Sequence, residues 1–314
     1  MRERKVMKKE KKVFGHKILN GNVVRGMVLL TVLAYFLVTI AIGGVIGGIS
    51  GIIGSLTENV VSRNVIYFAY AISAFIMLAI HKRWFYPEYE GSLKSTDLGR
   101  WMLIAFVVLL AITVPDLIIM LIVGGNLAAP TVTSVLSALV AGITEEIIFR
   151  AIPASYGMRQ INDPSKIKVV LITTALIFSL VHATNIFAGA DVNATLIQLF
   201  SALGAGLLLG ALFLRSGSIL PSMMVHFLYD IYALMNADTV SETGLMTGAL
   251  KASDIFINIL LFAIEIGITV YLMRRSVHEE IMRTWEKKWN KKPGEQESNL
   301  VSKSETAFDS ESCG

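Results

Sequence analysis

Residues 132–158 read VTSVLSALVAGITEEIIFRAIPASYGM, an apolar stretch interrupted by Glu145, Glu146 and Arg150. The stretch is long enough to cross a hydrocarbon core of about 30 Å. Each charged side chain at bilayer depth costs about 2.5–3.5 kcal/mol on insertion scales, so this cluster needs compensation. Glu146 and Arg150 supply part of it. They stand four residues apart with the acid N-terminal, the favoured order for a helical ion pair. Glu145 lies about 100° round the helix and cannot share that geometry as well. One carboxylate therefore reads as structural and the other as free to act.

The rest of the chain has the same character. Hydrophobic residues make up 54% and charged residues 17% of the 314, against about 25% charged in soluble domains. Apolar spans are expected at 26–56, 64–81, 101–124, 132–158, 168–186, 196–214, 218–236 and 254–273, eight in all. Basic residues gather on alternate sides of these spans: the N-terminus, Lys82 to Arg100, Arg159 to Lys168, Arg215, and Arg274 with Arg275. The positive-inside rule then places both termini in the cytoplasm. The expected fold is an all-α, polytopic membrane helix bundle of about eight transmembrane helices. Its divisions are a basic N-terminus (1–25), three N-terminal spans (26–125), a four-helix catalytic core (126–237), a last span (238–275) and a tail (276–314). Gly204, Gly206 and Gly210 would let helices pack closely. No internal repeat is apparent.

Residues 1–25 hold nine Lys or Arg against two Glu. Beside membrane spans, that charge reads as an anchor on anionic lipid and not as a nucleic-acid site. The single cysteine, Cys313, excludes an intramolecular disulfide and stands too near the end for a prenylation box. In the tail, Val277, Ile281, Trp285 and Trp289 recur every four residues. They suit either an interfacial amphipathic helix or a solvated extension of the last span. Residues 293–314 are polar and expected to be disordered.

Depth brings further groups to the level of Glu145. It stands fourteen residues from Arg159; His182 stands fourteen from Lys168, and Asp230 fourteen from Ser216. Each interval is about 21 Å of helix. His226 is one turn from Asp230. Glu145, His182 and His226 can thus meet in one buried pocket. His16, His81 and His278, at termini or span ends, are not expected in a site. Asp116 and Glu265 are expected to have packing or pocket-edge roles, with a supporting role at the site as the alternative.

In order along the chain stand Glu145-Glu146-x-x-x-Arg150, Phe178-x-x-x-His182 and His226-x-x-x-Asp230. Together they resemble the CAAX prenyl protease type II family, also called CAAX proteases and bacteriocin-processing enzymes, over about residues 130–235. The resemblance implies a glutamate-dependent intramembrane endopeptidase that needs no metal or cofactor. It implies that Glu145 and His182 activate a water, that Glu146 and Arg150 support the helix, and that His226 with position 230 stabilises the oxyanion. Phe178 enters as part of the second motif. The third motif departs from the commoner His-x-x-x-Asn. An ionised Asp cannot donate a hydrogen bond, so Asp230 either is protonated or orients His226. The implied partner is a membrane-anchored peptide or protein, prenylated or not. The expected location is a prokaryotic plasma membrane, with a eukaryotic endoplasmic reticulum open.

Other chemistries compete. Glu145, His182 and His226 could ligate zinc, although no His-Glu-x-x-His helix is present. Gly48-Ile49-Ser50-Gly51 reads as a serine-protease fragment in a Gly-rich span, and Tyr229-Asp230 as half of an aspartyl pattern. A transporter or an immunity-type membrane protein would use the same intramembrane charges without hydrolysis.

Overall fold

A computed structural model describes residues 22–38, 44, 45, 48, 49, 52, 63–235 and 252–290. The expectations for the basic N-terminus before Asn22, for His16, Ser50 and Gly51, for the loop 236–251 and for the tail from 291 with Cys313 lie outside them. The described residues are helical, with no strand among them. In chain order the α-helices are α1 (Val23–Tyr35), α2 (Arg63–Ile80), α3 (Leu98–Ile122), α4 (Val132–Glu146), α5 (Ile152–Gln160), α6 (Ile167–Val181), α7 (Val192–Ser216), α8 (Leu220–Leu234), α9 (Ala252–Leu272) and α10 (His278–Lys288).

Five helical stretches are long and apolar enough to cross a membrane: Leu98–Ile122, Val132–Gln160, Pro164–Ala188, Val192–Ser216 and Ala252–Leu272. These coincide with five of the eight expected spans. The expected first span begins as α1, and the second coincides with α2. The expected seventh is α8, whose 15 residues extend about 22 Å. Helix α3 shows why such chains need lipid. Leu103, Phe106, Leu110, Ile118 and Leu121 lie exposed on its outer side, while Trp101, Ala105, Val108 and Ile112 are buried. An apolar outer face of this kind is stable in hydrocarbon, where helices satisfy their own backbone groups.

Local chemistry sets the helix ends. Thr131 caps α4 by accepting a hydrogen bond from the Ser134 N–H at 3.0 Å, and Asp191 caps α7 through the Ala194 N–H at 2.9 Å. Gly217, at φ +66°, ends α7 in the left-handed conformation that glycine adopts without strain. Between α4 and α5, residues Ile147–Ala151 form a π-helical turn, with the Ile152 N–H bonded to the carbonyl of Ile147. Pro153 explains it. A proline has no N–H and its ring collides with the carbonyl four residues back, here that of Phe149. The hydrogen-bond ladder shifts register just before it, so the helix runs on past the charged cluster instead of breaking.

Helix α7 is packed between α6 and α9, and α8 lies against α4, α3 and α7. Glycines permit these contacts. A Cβ on Gly206 would stand 3.0 Å from the Ala175 Cα of α6, and one on Gly210 would stand 2.8 Å from Leu171. A Cβ on Gly142 would stand 3.0 Å from the Phe227 backbone nitrogen, so α4 and α8 touch backbone to backbone. Gly142 is one turn before Glu146 and Phe227 follows His226. A backbone contact of these helices is therefore next to the charged cluster.

The tail helix α10 follows neither sequence expectation. Its apolar stripe faces protein, not lipid or water: Val277, Ile281, Trp285 and Trp289 are each 5% exposed or less. Trp285 stacks on Tyr89 with centroids 6.4 Å apart and meets Phe213 edge-on at 5.2 Å. Its indole N–H donates to the Leu214 carbonyl at 3.0 Å. Lys288 donates to the carbonyls of Gly91 and Lys94 at 2.7 and 2.9 Å. The α2–α3 connection offers Tyr89 and the carbonyls of Gly91 and Lys94, α7 offers Phe213 and the Leu214 carbonyl, and together they draw the stripe out of the interface. Trp285→Ala should cost about 3–5 kcal/mol. Thermal unfolding in detergent should show the loss, and trypsin should cut at Lys287 and Lys288 more rapidly than in the parent.

Candidate functional site

The charged cluster opens from α4 toward α8. Glu146 and Arg150 are fully buried, and their carboxylate and guanidinium are in direct contact, forming the i, i+4 pair expected from the sequence. Arg150 also lies over a ring, its Cζ 4.0 Å from the centroid of Phe178. That contact covers the face of the guanidinium with π-electron density. Among the described residues, Nε and Nη2 of Arg150 have no hydrogen-bond partner.

Glu146 has a second partner, which sequence spacing could not show. The same oxygen that meets Arg150 accepts a hydrogen bond from His226 Nδ1 at 2.8 Å. With Nδ1 donating, the other ring nitrogen points the opposite way. His226 Nε2 lies 3.7 Å from Glu145 Oε2 and 3.4 Å from Asp230 Oδ2. The carboxylate thus fixes the orientation of the imidazole, as the hydrogen bond at one ring nitrogen generally sets the role of the other. The side chains of Glu145 and Asp230 are about a third exposed, at 32% and 29%, while that of Glu146 is fully buried. Of the two adjacent glutamates, Glu145 is the one within reach of a ligand.

His182 comes from the other side. Helix α6 ends at Val181 and continues as a 3-10 turn, His182–Ala188, closed by Gly189 at φ +96°. His182 Nδ1 donates to the Phe178 carbonyl at 2.8 Å, which leaves Nε2 as an acceptor. Its ring meets Phe178 edge-on at 4.9 Å, and His226 meets the same Phe178 ring at 5.9 Å. Phe178 therefore separates and orients both histidines while covering Arg150.

His182, His226, Asp230 and Phe178 line one cavity of about 160 Å³. Its other walls are largely apolar, from Ile112, Leu208, Val225 and Leu261 among others. The structure thus brings together Glu145, Glu146, His226 and Asp230 by direct approach, and His182 through the shared cavity and Phe178. The imidazole beside Glu145 is that of His226, not of His182. The same cavity is lined by Gln198, Ser201, Asn258 and Glu265. Gln198, Ser201 and Asn258 were not anticipated. The spacing of Asn258 and Glu265, two helical turns apart on α9, is the sequence signal that one face of this helix is polar. Among the described residues, no group of three or more His, Cys, Asp or Glu is arranged to hold a metal ion.

An arrangement of this kind has a carboxylate open to a cavity, an imidazole held in a fixed orientation and an apolar wall. It can take a proton from a water and return it to a leaving group. Residues 126–232 match the family model described as Rce1-like, type II CAAX prenyl endopeptidase. That segment includes all three motifs. No curated protein and no solved structure matches the chain.

The buried pair gives a test of stability independent of chemistry. Glu146→Ala strands the Arg150 cation and should destabilise by about 3–5 kcal/mol. Replacing both partners, Glu146→Leu with Arg150→Met, should restore most of that loss. Thermal unfolding of the purified variants in detergent reads both, and a double variant no more stable than Glu146→Ala would contradict the account.

Proposed function

From the Rce1-like match and the convergence of α4 and α8 on the His226 imidazole, we propose that the protein is an intramembrane endopeptidase. It hydrolyses a peptide bond in a membrane-associated peptide or protein of the CAAX type. The observation that carries this reading is the placement of Glu145 and Asp230 around the imidazole of His226. His226 and Asp230 line a cavity that His182 also lines. Glu145 accepts a proton from a water as its oxygen attacks the carbonyl carbon, and His182 helps to position that water. The proton then passes to the departing amine as the C–N bond breaks. His226 donates to the developing oxyanion, where a fixed donor is worth most. Asp230 orients His226, a role that the 3.4 Å approach to Nε2 supports. Glu146 and Arg150 hold the imidazole and the helix in place.

The same reading gives eight spans with both termini in the cytoplasm and the catalytic core at 126–237. It places the protein in a plasma membrane of prokaryotic type. No metal is required in this scheme. Glu145→Gln keeps the shape and removes the base, so cleavage should fall by about 10²–10⁴-fold while thermal unfolding is unchanged. Mass spectrometry of membrane proteins from cells with the parent or the variant should show precursors that accumulate only with the variant. Retained cleavage by Glu145→Gln would refute the role of this residue.

A further inference from the structure

Helix α9 lies outside the segment that matches the family, yet it forms one wall of the cavity. Its Glu265 lines that cavity and is 6% exposed. No described residue donates a hydrogen bond to its carboxylate. The polar groups beside it on the same wall are already paired. Ser201 donates to Asn258 Oδ1, Asn258 Nδ2 donates to the Asp254 carbonyl at 2.7 Å, and Gln198 Oε1 accepts from Asn185 at 2.9 Å. Glu265 is left as the acceptor of this wall.

Its position is built, not incidental. A Cβ on Gly204 of α7 would stand 2.2 Å from Glu265 Oε2 and 2.9 Å from Phe262. The carboxylate therefore lies in the space that the absent side chain leaves. Asp230 adds a second acid to the lining, and no lysine or arginine lines the cavity. A carboxylate at membrane depth is costly and ordinarily marks a site with a partner of opposite charge. No described residue is that partner, and a cavity is where a ligand would bring one.

We propose that Glu265 determines specificity by receiving a cationic side chain, lysine or arginine, of the peptide that enters the cavity. The scissile bond then lies toward His226 and Asp230, and the ammonium or guanidinium reaches the α7–α9 wall. This assignment takes the cavity to be a peptide site, as proposed above.

The test separates binding from cleavage. Full-length protein carrying Glu145→Gln is immobilised in detergent and exposed to apolar decapeptides. One position at a time is varied among lysine, arginine, glutamine, norleucine and glutamate. Mass spectrometry counts what is retained. Lysine and arginine should be enriched over norleucine and glutamine at one position by at least about tenfold, the scale of a single charge-assisted hydrogen bond. Adding Glu265→Gln should bring that enrichment below about twofold, since a neutral amide cannot pair with the cation. Gly204→Ala keeps the carboxylate but displaces it, and should give an intermediate value. The proposal is overturned if no position favours a cation, or if the preference survives Glu265→Gln. Cleavage of the same library by the parent protein is measured separately. A cation preference without cleavage would defeat the peptidase reading alone, and cleavage without the preference would defeat this assignment alone.

Discussion

A single buried oxygen ties the site to the fold. Oε1 of Glu146 meets the Arg150 guanidinium within its own helix and the His226 imidazole from another. In a low-dielectric interior an unpaired carboxylate would be prohibitive, and so would an unpaired guanidinium. Each needs the other, and Arg150 also needs the face of Phe178. Once Glu146 is committed to both partners, the ring of His226 has one orientation. Its second nitrogen then faces Glu145 and Asp230. In the proposed mechanism, the carboxylate that neutralises charge and the one that does chemistry are neighbours in sequence, so that one helix turn serves both purposes.

That interaction depends on distance between backbones. Gly142 lets α8 approach α4 to the point where a side chain as short as glutamate reaches across. Gly204, Gly206 and Gly210 do the equivalent for α7 against α9 and α6. In lipid, apolar surface gives little preference for helix over solvent, so close packing of small residues carries much of the association. The same glycines that hold the bundle together leave the space in which Glu265 sits. Stability and the shape of the cavity therefore share one cause.

Much of the site could be read from residue order. The i, i+4 relation of Glu146 and Arg150 is a property of any α-helix, and the pair forms although Arg150 lies within the π turn. The expectation that Glu145, His182 and Asp230 stand at similar depth rests on rise per residue alone. The pairing of His226 with Glu146 could not be read, because it spans 80 residues and depends on which faces of α4 and α8 meet. The tail helix was legible as amphipathic but not as docked. Periodicity identifies an apolar stripe without saying whether lipid, water or protein covers it.

The sequence by itself determined an all-helical membrane chain, the buried ion pair and the set of residues able to do acid–base chemistry. Local spacing, hydropathy and charge are sufficient for these because they act within one helix or along one span. Only the tertiary structure decided that His226, and not His182, stands beside Glu145, that α10 covers protein, and that Glu265 lies against Gly204 of α7 and lines the cavity. Those outcomes depend on how helices distant in sequence rotate and approach, and small residues at their contacts set that approach.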